Sequence, residues 1–435
     1  MSTFVIQGGK PLQGAIIPQG AKNEALQVFC AVLLTSSPVT IRNVPDIIDV
    51  QRLIALLRML GVRITNPTKG TYHCDASQLN TAATNTEMFK EHATNIRGGI
   101  MLMGPLLARF GRVTIPKPGG DRIGRRRLDT HFIGMLKLGA KFSYNDKENT
   151  YSVEASRLKG SYILLDEASV TGTANLIMAA SLAQGTTILY NAACEPYIQQ
   201  LCNMLVQMGA KIEGIGSNLL TIHGVQELQG TTHTLLPDII EIGSFIGLAA
   251  ITKANLTIKH ACANQLGPIL AGFRKLGIVP EIRNNDIIIH PQEHYEIEKD
   301  LDGSLPTIAD AVWPGFPTDL ISIMLVVATQ AQGTILMHQK MFESRLFFVD
   351  HLIEMGAQLV LCDPHRASVT GLNRAYPLRG TRMTSPDIRA GIALLIAALS
   401  AKGISIIENI SQIDRGYEQI DTRLRALGAA IERID

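Results

Sequence analysis

The chain has little of what marks several common protein classes. It carries six cysteines in 435 residues, none of them spaced Cys-x-x-Cys. That argues against a disulfide scaffold and against thiolate zinc motifs. Cys30, Cys74, Cys194, Cys202, Cys262 and Cys362 are therefore expected to be reduced core residues of a cytoplasmic protein with no metal site. Aromatic residues make up 5%, with one tryptophan, Trp313, whereas single-strand nucleic-acid binders stack bases on aromatic rings. The net charge is only +2, which gives no broad basic face for nucleic acid. No apolar run approaches the roughly 18 residues that cross a bilayer. The longest, residues 392–399, stops at Ser400-Ala401-Lys402. The first ten residues lack a basic-then-apolar leader pattern.

What is present is a 46% hydrophobic, 18% charged chain, suited to large cores and long enough for two or three domains. Its charge is concentrated locally. Between residues 121 and 127 lie Asp121, Arg122, Arg125, Arg126 and Arg127, hinged by Gly119, Gly120 and Gly124. The glycines predict a loop. Arginine is the residue suited to bidentate contacts with phosphate and carboxylate. One acid among these cations points to a site that holds an anion and moves a proton. A solvated basic loop or a nucleic-acid contact is the alternative.

An internal repeat sets the layout. Leu60-Gly61, Leu138-Gly139, Met208-Gly209, Leu276-Gly277, Met355-Gly356 and Leu427-Gly428 recur at intervals of roughly 70 residues, a period that suits a compact unit rather than a solenoid. The helix before each glycine is amphipathic, as Val50, Leu53, Ile54, Leu57 and Leu60 show, and the glycine stands where a left-handed cap ends a helix. A second helix of each unit, in segments 174–183, 243–251, 320–328 and 388–401, is apolar nearly all round and so buried on every side. Each unit reads as strand, buried helix, strand, surface helix, strand or strands, with three buried helices at a centre and sheets outside. The second copy departs: its helical stretch, residues 95–109, contains Gly98, Gly99, Gly104 and Pro105, and it carries the arginine-rich loop.

Six segments then carry a resemblance: Gly20-Ala21-Lys22-Asn23, Pro118-Gly119-Gly120, Leu128-Asp129-Thr130-His131, Phe316-Pro317-Thr318-Asp319, Phe342-Glu343-Ser344-Arg345 and Asp414-Arg415-Gly416-Tyr417. In order and over essentially the whole chain, they resemble the UDP-N-acetylglucosamine 1-carboxyvinyltransferase family of enolpyruvyl transferases. The resemblance implies an α/β fold, a two-domain inside-out α/β barrel of six βαβαββ repeats, three per domain. Residues 22–236 would form the domain carrying the Asp121 loop, residues 1–21 and 237–435 the other, with the active site in a cleft between them. It implies transfer of the enolpyruvyl group of phosphoenolpyruvate to the 3-hydroxyl of UDP-N-acetylglucosamine, the first committed step of peptidoglycan synthesis, without a cofactor and in a monomer or weak homo-oligomer.

By family match, Lys22, Arg126 and Arg415 hold the phosphate and carboxylate of phosphoenolpyruvate, and Arg97, Arg345 and Arg389 line the site. For Arg389 an ion pair with Asp387 stands as an equal reading. Asp319 is matched as base for the sugar hydroxyl; from the residues alone it is a helix N-terminal cap. Asn23 is matched to the sugar, and Arg126, Arg127, Leu128, Asp129, Thr130, Ser169, Val170 and Thr171 to the uridine diphosphate portion. Met341 is matched as a further substrate contact and Asp49 as a partner of Lys22 or Arg415. Glu195, Asp238 and Glu343 stand at recurrent acidic positions. Lys22 sits at a predicted helix N-terminus, where a cation needs an anion beside it.

The chain departs from the family at three places. Asp121 stands where many members have the cysteine that serves as acid and is alkylated by fosfomycin, so the chain is expected to be insensitive to that drug. Near neutral pH an aspartate beside arginines needs desolvation or substrate charge to hold a proton. Arg125 and Arg127 flank Arg126 where many members have a small residue and proline; they either grip the diphosphate or stiffen the loop. Thr171 stands where glycine is frequent. Three other readings compete: a shikimate 3-phosphate enolpyruvyl transferase, a non-catalytic paralogue, and a nucleic-acid-binding repeat protein.

Overall fold

The computed structural model describes residues 2–120, 123, 124 and 126–434. Asp121, Arg122 and Arg125 lie outside the described residues. The chain divides into two compact units, each with its own hydrophobic core. One comprises the chain up to Gln19, residues 123, 124 and 126, and the chain from Pro237; the other is Gly20–Gly120 with Arg127–Leu236. Near the start of the second unit, Ala21 N–H donates to Leu236 O at 2.8 Å.

In the first unit three helices, Ile239–Thr252, Ile321–Ala328 and Ile388–Ser400, pack on one another, and every residue of the first two is buried. Their sequences are apolar on all sides, which suits a helix with no solvent face. Three four-stranded sheets accompany them. Each has one parallel pair followed by two antiparallel pairings. In one, Arg382–Thr384 runs parallel to Ile404–Glu408, which is antiparallel to Thr3–Gln7, itself antiparallel to Ala430–Ile434.

The second unit is built likewise around Lys22–Ala31, Met103–Phe110 and Val170–Ala180, the last packing on both others. Two of its sheets have the same four-stranded pattern, but the sheet of Arg112–Pro116, Thr150–Glu154 and Lys141–Asn145 has three strands among the described residues. The expected helix over residues 95–109 is instead a 3₁₀ helix, Arg97–Leu102, leading into Met103–Phe110. Gly98 and Gly99 disfavour regular helix, and Pro105 is tolerated in a first turn because its missing N–H has no partner there. Gly104 has a packing reason: an added Cβ would lie 2.2 Å from Asn175 O.

Gly61, Gly139, Gly209, Gly277, Gly356 and Gly428 all follow helices with φ between 76° and 106°, the left-handed termination their positions implied. The cysteine expectation needs correction. Cys30, Cys74, Cys194 and Cys202 are buried and unpaired, but Cys262 is half-buried and Cys362 exposed. Cys362 lies in Gln358–Asp363, the outer strand of its sheet, whose side chains alternate between half-buried and exposed. Among the described residues no helix is long and apolar enough to cross a membrane, and no group of three or more His, Cys, Asp or Glu side chains gathers as a metal site would require.

Candidate active site

Most of the residues singled out above fall into two clusters of charged side chains, one in each unit. In the unit that begins at Gly20, Lys22 opens the helix Lys22–Ala31. A helix N-terminus is the wrong end for a cation, and Asp49, in the first turn of Ile48–Met59, answers it: Nζ and Oδ2 are 2.7 Å apart, with 8% and 5% side-chain exposure. Glu24, one turn face inward, bonds His233 Nε2 at 2.8 Å and accepts from Leu236 N at 3.1 Å, tying the helix start to the sheet. Asn23 is half-buried in the same first turn.

In the same unit the helices Asp129–Lys137 and Val170–Ala180 pack together, and Thr130 lies close to Gly172 at their starts. Two helix N-termini make an environment that favours an anion. Arg97 donates to Arg127 O at 3.2 Å. The Arg127 guanidinium meets Asp129 at 2.8 Å and Asp166 at 3.2 Å. Of the two readings of Arg127, these ion pairs favour the stiffened segment. The Thr130 hydroxyl donates to Asp166 Oδ1 at 2.6 Å. Ser169 caps its helix, accepting from Gly172 N at 3.2 Å, and Val170 beside it is half-buried. Leu128 is buried and leads into its helix. The Thr171 hydroxyl bonds His131 Nε2 at 3.2 Å. Burial, and then the charge of Arg97, push the His131 imidazole down to about 3, so the ring is neutral near pH 7.

In the other unit, Asp319 does not cap a helix. Its carboxylate lies between two guanidiniums: Arg345 Nη2 is 2.8 Å from Oδ1 and Arg389 Nη2 is 2.9 Å from Oδ2. Asp387 takes the cap role instead, accepting from Arg389 N at 2.7 Å and Ala390 N at 3.0 Å. The Arg389 guanidinium thus goes to Asp319, while the backbone amide goes to Asp387. Burial pulls the Arg389 pKa down, but the Asp319 carboxylate outweighs it and the net shift is upward. Tyr417 supports this arginine from below, with its ring centre 6.0 Å away and its hydroxyl 3.4 Å from Nη1 and 2.9 Å from Ser244 Oγ. Phe342 has two guanidiniums over its ring, Arg345 at 5.0 Å and Arg126 at 5.8 Å.

Asp310 organises the segment leading to Phe342. It is buried, accepts from Met341 N at 3.3 Å and is also bonded by Gln339 Nε2 and Lys340 N. The Met341 side chain itself is exposed. Arg415 is buried and donates to Gln412 Oε1 at 2.9 Å, while Asp414 pairs with Arg433 at 2.8 Å. Glu343 leaves room only for glycine at position 124: an added Cβ would lie 2.0 Å from its Oε2, and Gly124 has φ +110°. Asp238 caps Ile239–Thr252. Glu195 precedes Pro196–Gln207 without capping it; burial pushes its carboxyl up to about 7, and its Oε2 has no hydrogen-bond partner.

Residue-by-residue reasoning passed over Asp166, Asn175, Asp310 and Ser244. Three of them carry a readable signal: Asn175 and Ser244 interrupt apolar helices, and Asp310 follows a strand. A buried polar residue in such a place needs a partner.

The family model for EPSP synthase (3-phosphoshikimate 1-carboxyvinyltransferase) matches residues 6–424. The UDP-N-acetylglucosamine 1-carboxyvinyltransferase of Bacteroides thetaiotaomicron is 61% identical over 434 residues, covering 100% of both chains. The enzymes of the same description from Porphyromonas gingivalis and Treponema denticola are 59% and 48% identical, covering 100% and 99% of each chain. Among solved structures, the enolpyruvyl transferase NikO of Streptomyces tendae superposes with a TM-score of 0.87 at 23% identity, covering 99% of this chain and 98% of that one. An EPSP synthase of Acinetobacter baumannii superposes with a TM-score of 0.74 at 18% identity, covering 100% of each. These two show a shared mixed α/β fold.

Proposed function

The chain belongs to the UDP-N-acetylglucosamine 1-carboxyvinyltransferase family of enolpyruvyl transferases, and from that premise we propose that it transfers the enolpyruvyl group of phosphoenolpyruvate to the 3-hydroxyl of UDP-N-acetylglucosamine, releasing phosphate. The observation that carries this reading is the Asp319 carboxylate held between Arg345 and Arg389. A base for the hydroxyl must be aimed before its proton is removed, and two guanidiniums, one on each oxygen, fix the orientation of this carboxylate.

In this reading the methylene carbon of phosphoenolpyruvate gains a proton and the sugar oxygen bonds to the neighbouring carbon as Asp319 takes the hydroxyl proton. The tetrahedral adduct then loses phosphate and a proton from the new methyl group, restoring the double bond. Lys22, Arg126 and Arg415 hold the anionic groups of phosphoenolpyruvate. Asn23 orients the sugar; Thr130, Ser169, Val170 and Thr171 face the diphosphate portion. Asp49 holds Lys22, and Arg127 with Asp129 steadies the segment after the loop. Asp121 takes the acid position, and a carboxylate there makes the enzyme insensitive to fosfomycin, since it is a far weaker nucleophile toward an epoxide than a thiolate. The fold is read as six βαβαββ copies in two inside-out α/β barrels, acting in the cytoplasm as a monomer or weak homo-oligomer.

Nucleotide-sugar specificity is favoured over shikimate 3-phosphate by the 61% full-length identity to the Bacteroides thetaiotaomicron enzyme, against 18% to the Acinetobacter baumannii EPSP synthase. The test is phosphate release from phosphoenolpyruvate with UDP-N-acetylglucosamine, with shikimate 3-phosphate, or with neither, each repeated with fosfomycin. Release that requires the nucleotide sugar and survives the drug is expected. Release abolished by the drug overturns the Asp121 assignment, and release with shikimate 3-phosphate alone overturns the acceptor.

A further inference from the structure

Three hydroxyls, those of Thr130, Ser169 and Thr171, cluster where the helices Asp129–Lys137 and Val170–Ala180 begin, and their protons have different destinations. The Thr130 proton is committed to Asp166 Oδ1. The Ser169 oxygen accepts from Gly172 N. The direction of the Thr171 bond depends on His131, and the surroundings of His131 determine it. Asn175 Nδ2 donates to Ile100 O at 2.9 Å, and Asn175 Oδ1 accepts from Gly104 N at 2.6 Å. A carbonyl can only accept and an amide N–H can only donate, so the Asn175 amide has one orientation. Its Nδ2 also lies 2.9 Å from His131 Nδ1, which must therefore accept. The neutral ring then carries its proton on Nε2 and donates it to Thr171 Oγ1. With that oxygen already accepting, its own proton is directed elsewhere, and among the described residues it meets no acceptor.

We propose that His131 and Asn175 are positioning residues that hold the Thr171 hydroxyl as a hydrogen-bond donor to a diphosphate oxygen of the nucleotide-sugar substrate. The proposal rests on the nucleotide-sugar reading above and deepens it. Diphosphate oxygens only accept, so a hydroxyl that must donate suits them; the Thr130 hydroxyl proton is spent on Asp166, which leaves Thr130 its backbone for that portion of the substrate. Val170 and Thr171 open the helix Val170–Ala180, and the backbone amides of that first turn favour the same anion.

The test uses the whole protein and measures binding of UDP and of UDP-N-acetylglucosamine by calorimetry, together with steady-state kinetics. Thr171→Val is expected to weaken both ligands roughly tenfold, the size of one hydrogen bond to a charged group. The loss should fall on KM for the nucleotide sugar rather than on kcat, and Thr171→Ser should recover most of it. His131→Leu should give a similar loss, His131→Gln, which keeps an N–H near the Nε2 position, a smaller one, and His131→Leu with Thr171→Val no more than Thr171→Val alone. A Thr171→Val protein that binds UDP within twofold of the parent overturns the proposal, as do additive losses in the double variant. A parent protein that binds neither UDP nor UDP-N-acetylglucosamine overturns the nucleotide-sugar reading itself.

Discussion

Arg389 Nη2 lies 2.9 Å from Asp319 Oδ2, although Asp387 stands only two residues before Arg389 in the chain. Removing the Asp319 charge therefore does two things. It deletes the proposed base and leaves two largely buried guanidiniums, Arg345 and Arg389, without their shared counterion. Asp319→Asn is expected to lower kcat by about 10² to 10⁴, the usual contribution of general base catalysis, and to lower the melting temperature. Retention of more than a tenth of kcat would exclude Asp319 as the base.

The Lys22–Asp49 pair is nearly buried on both sides, so breaking it from one side takes the nearest opposite charge away from a group with little access to water. Asp49→Asn should destabilise the unit that begins at Gly20 by roughly 3 kcal/mol. Lys22→Met with Asp49→Leu removes both charges and should be less destabilised than either single change. Urea unfolding of the four proteins measures this, and equal or greater loss in the double variant would contradict a buried pair.

Much of this architecture could be read from local chemistry. The six glycines after Leu or Met signalled six helix ends because a left-handed terminus is costly for other residues. The all-apolar segments signalled buried helices because nothing in them tolerates water. The side-chain partners were not legible in the same way. Asp387 and Asp319 are equally plausible neighbours of Arg389 in sequence; packing decided between them, since Asp387 faces the backbone amides of its own helix. Lys22 at a helix start suggested a bound anion, and part of that need is met by Asp49, one of the two contacts the family match allowed that carboxylate. Arg127 stood open between gripping the diphosphate and stiffening the loop, and its ion pairs with Asp129 and Asp166 become visible only in the fold.

Two titratable groups in one unit, the buried His131 and the half-buried Glu195 with its enclosed Oε2, give stability opposite pH slopes. The Glu195 carboxyl, raised by burial to about 7, binds its proton more tightly folded than unfolded. Its favourable contribution is complete below the unfolded value near 4.5 and is lost as pH rises through 7, a change on the order of 3 kcal/mol. His131, lowered by burial to about 3, does the reverse: the unfolded chain takes up a proton below about 6.5, and stability falls as pH drops from there. Glu195→Gln should raise the melting temperature at pH 8 more than at pH 5. A pH-independent effect would mean that Glu195 is ionised in the folded protein throughout.

The ring of Phe342 lies beneath Arg345 at 5.0 Å and Arg126 at 5.8 Å. Each such contact is worth about 0.5–1 kcal/mol at an accessible site, and a flat ring also limits the positions two flexible side chains can take. Phe342→Leu keeps an apolar side chain but removes the ring face, so the two arginines lose attraction and orientation together. If Arg126 holds phosphoenolpyruvate, KM for that substrate should rise about two- to fivefold per lost contact, with little change in KM for the nucleotide sugar. Phe342→Tyr, which keeps the ring face, should remain near the parent. Equal rises in both KM values would point instead to a general disturbance of the segment that Asp310 holds, and would detach Arg126 from the phosphoenolpyruvate role.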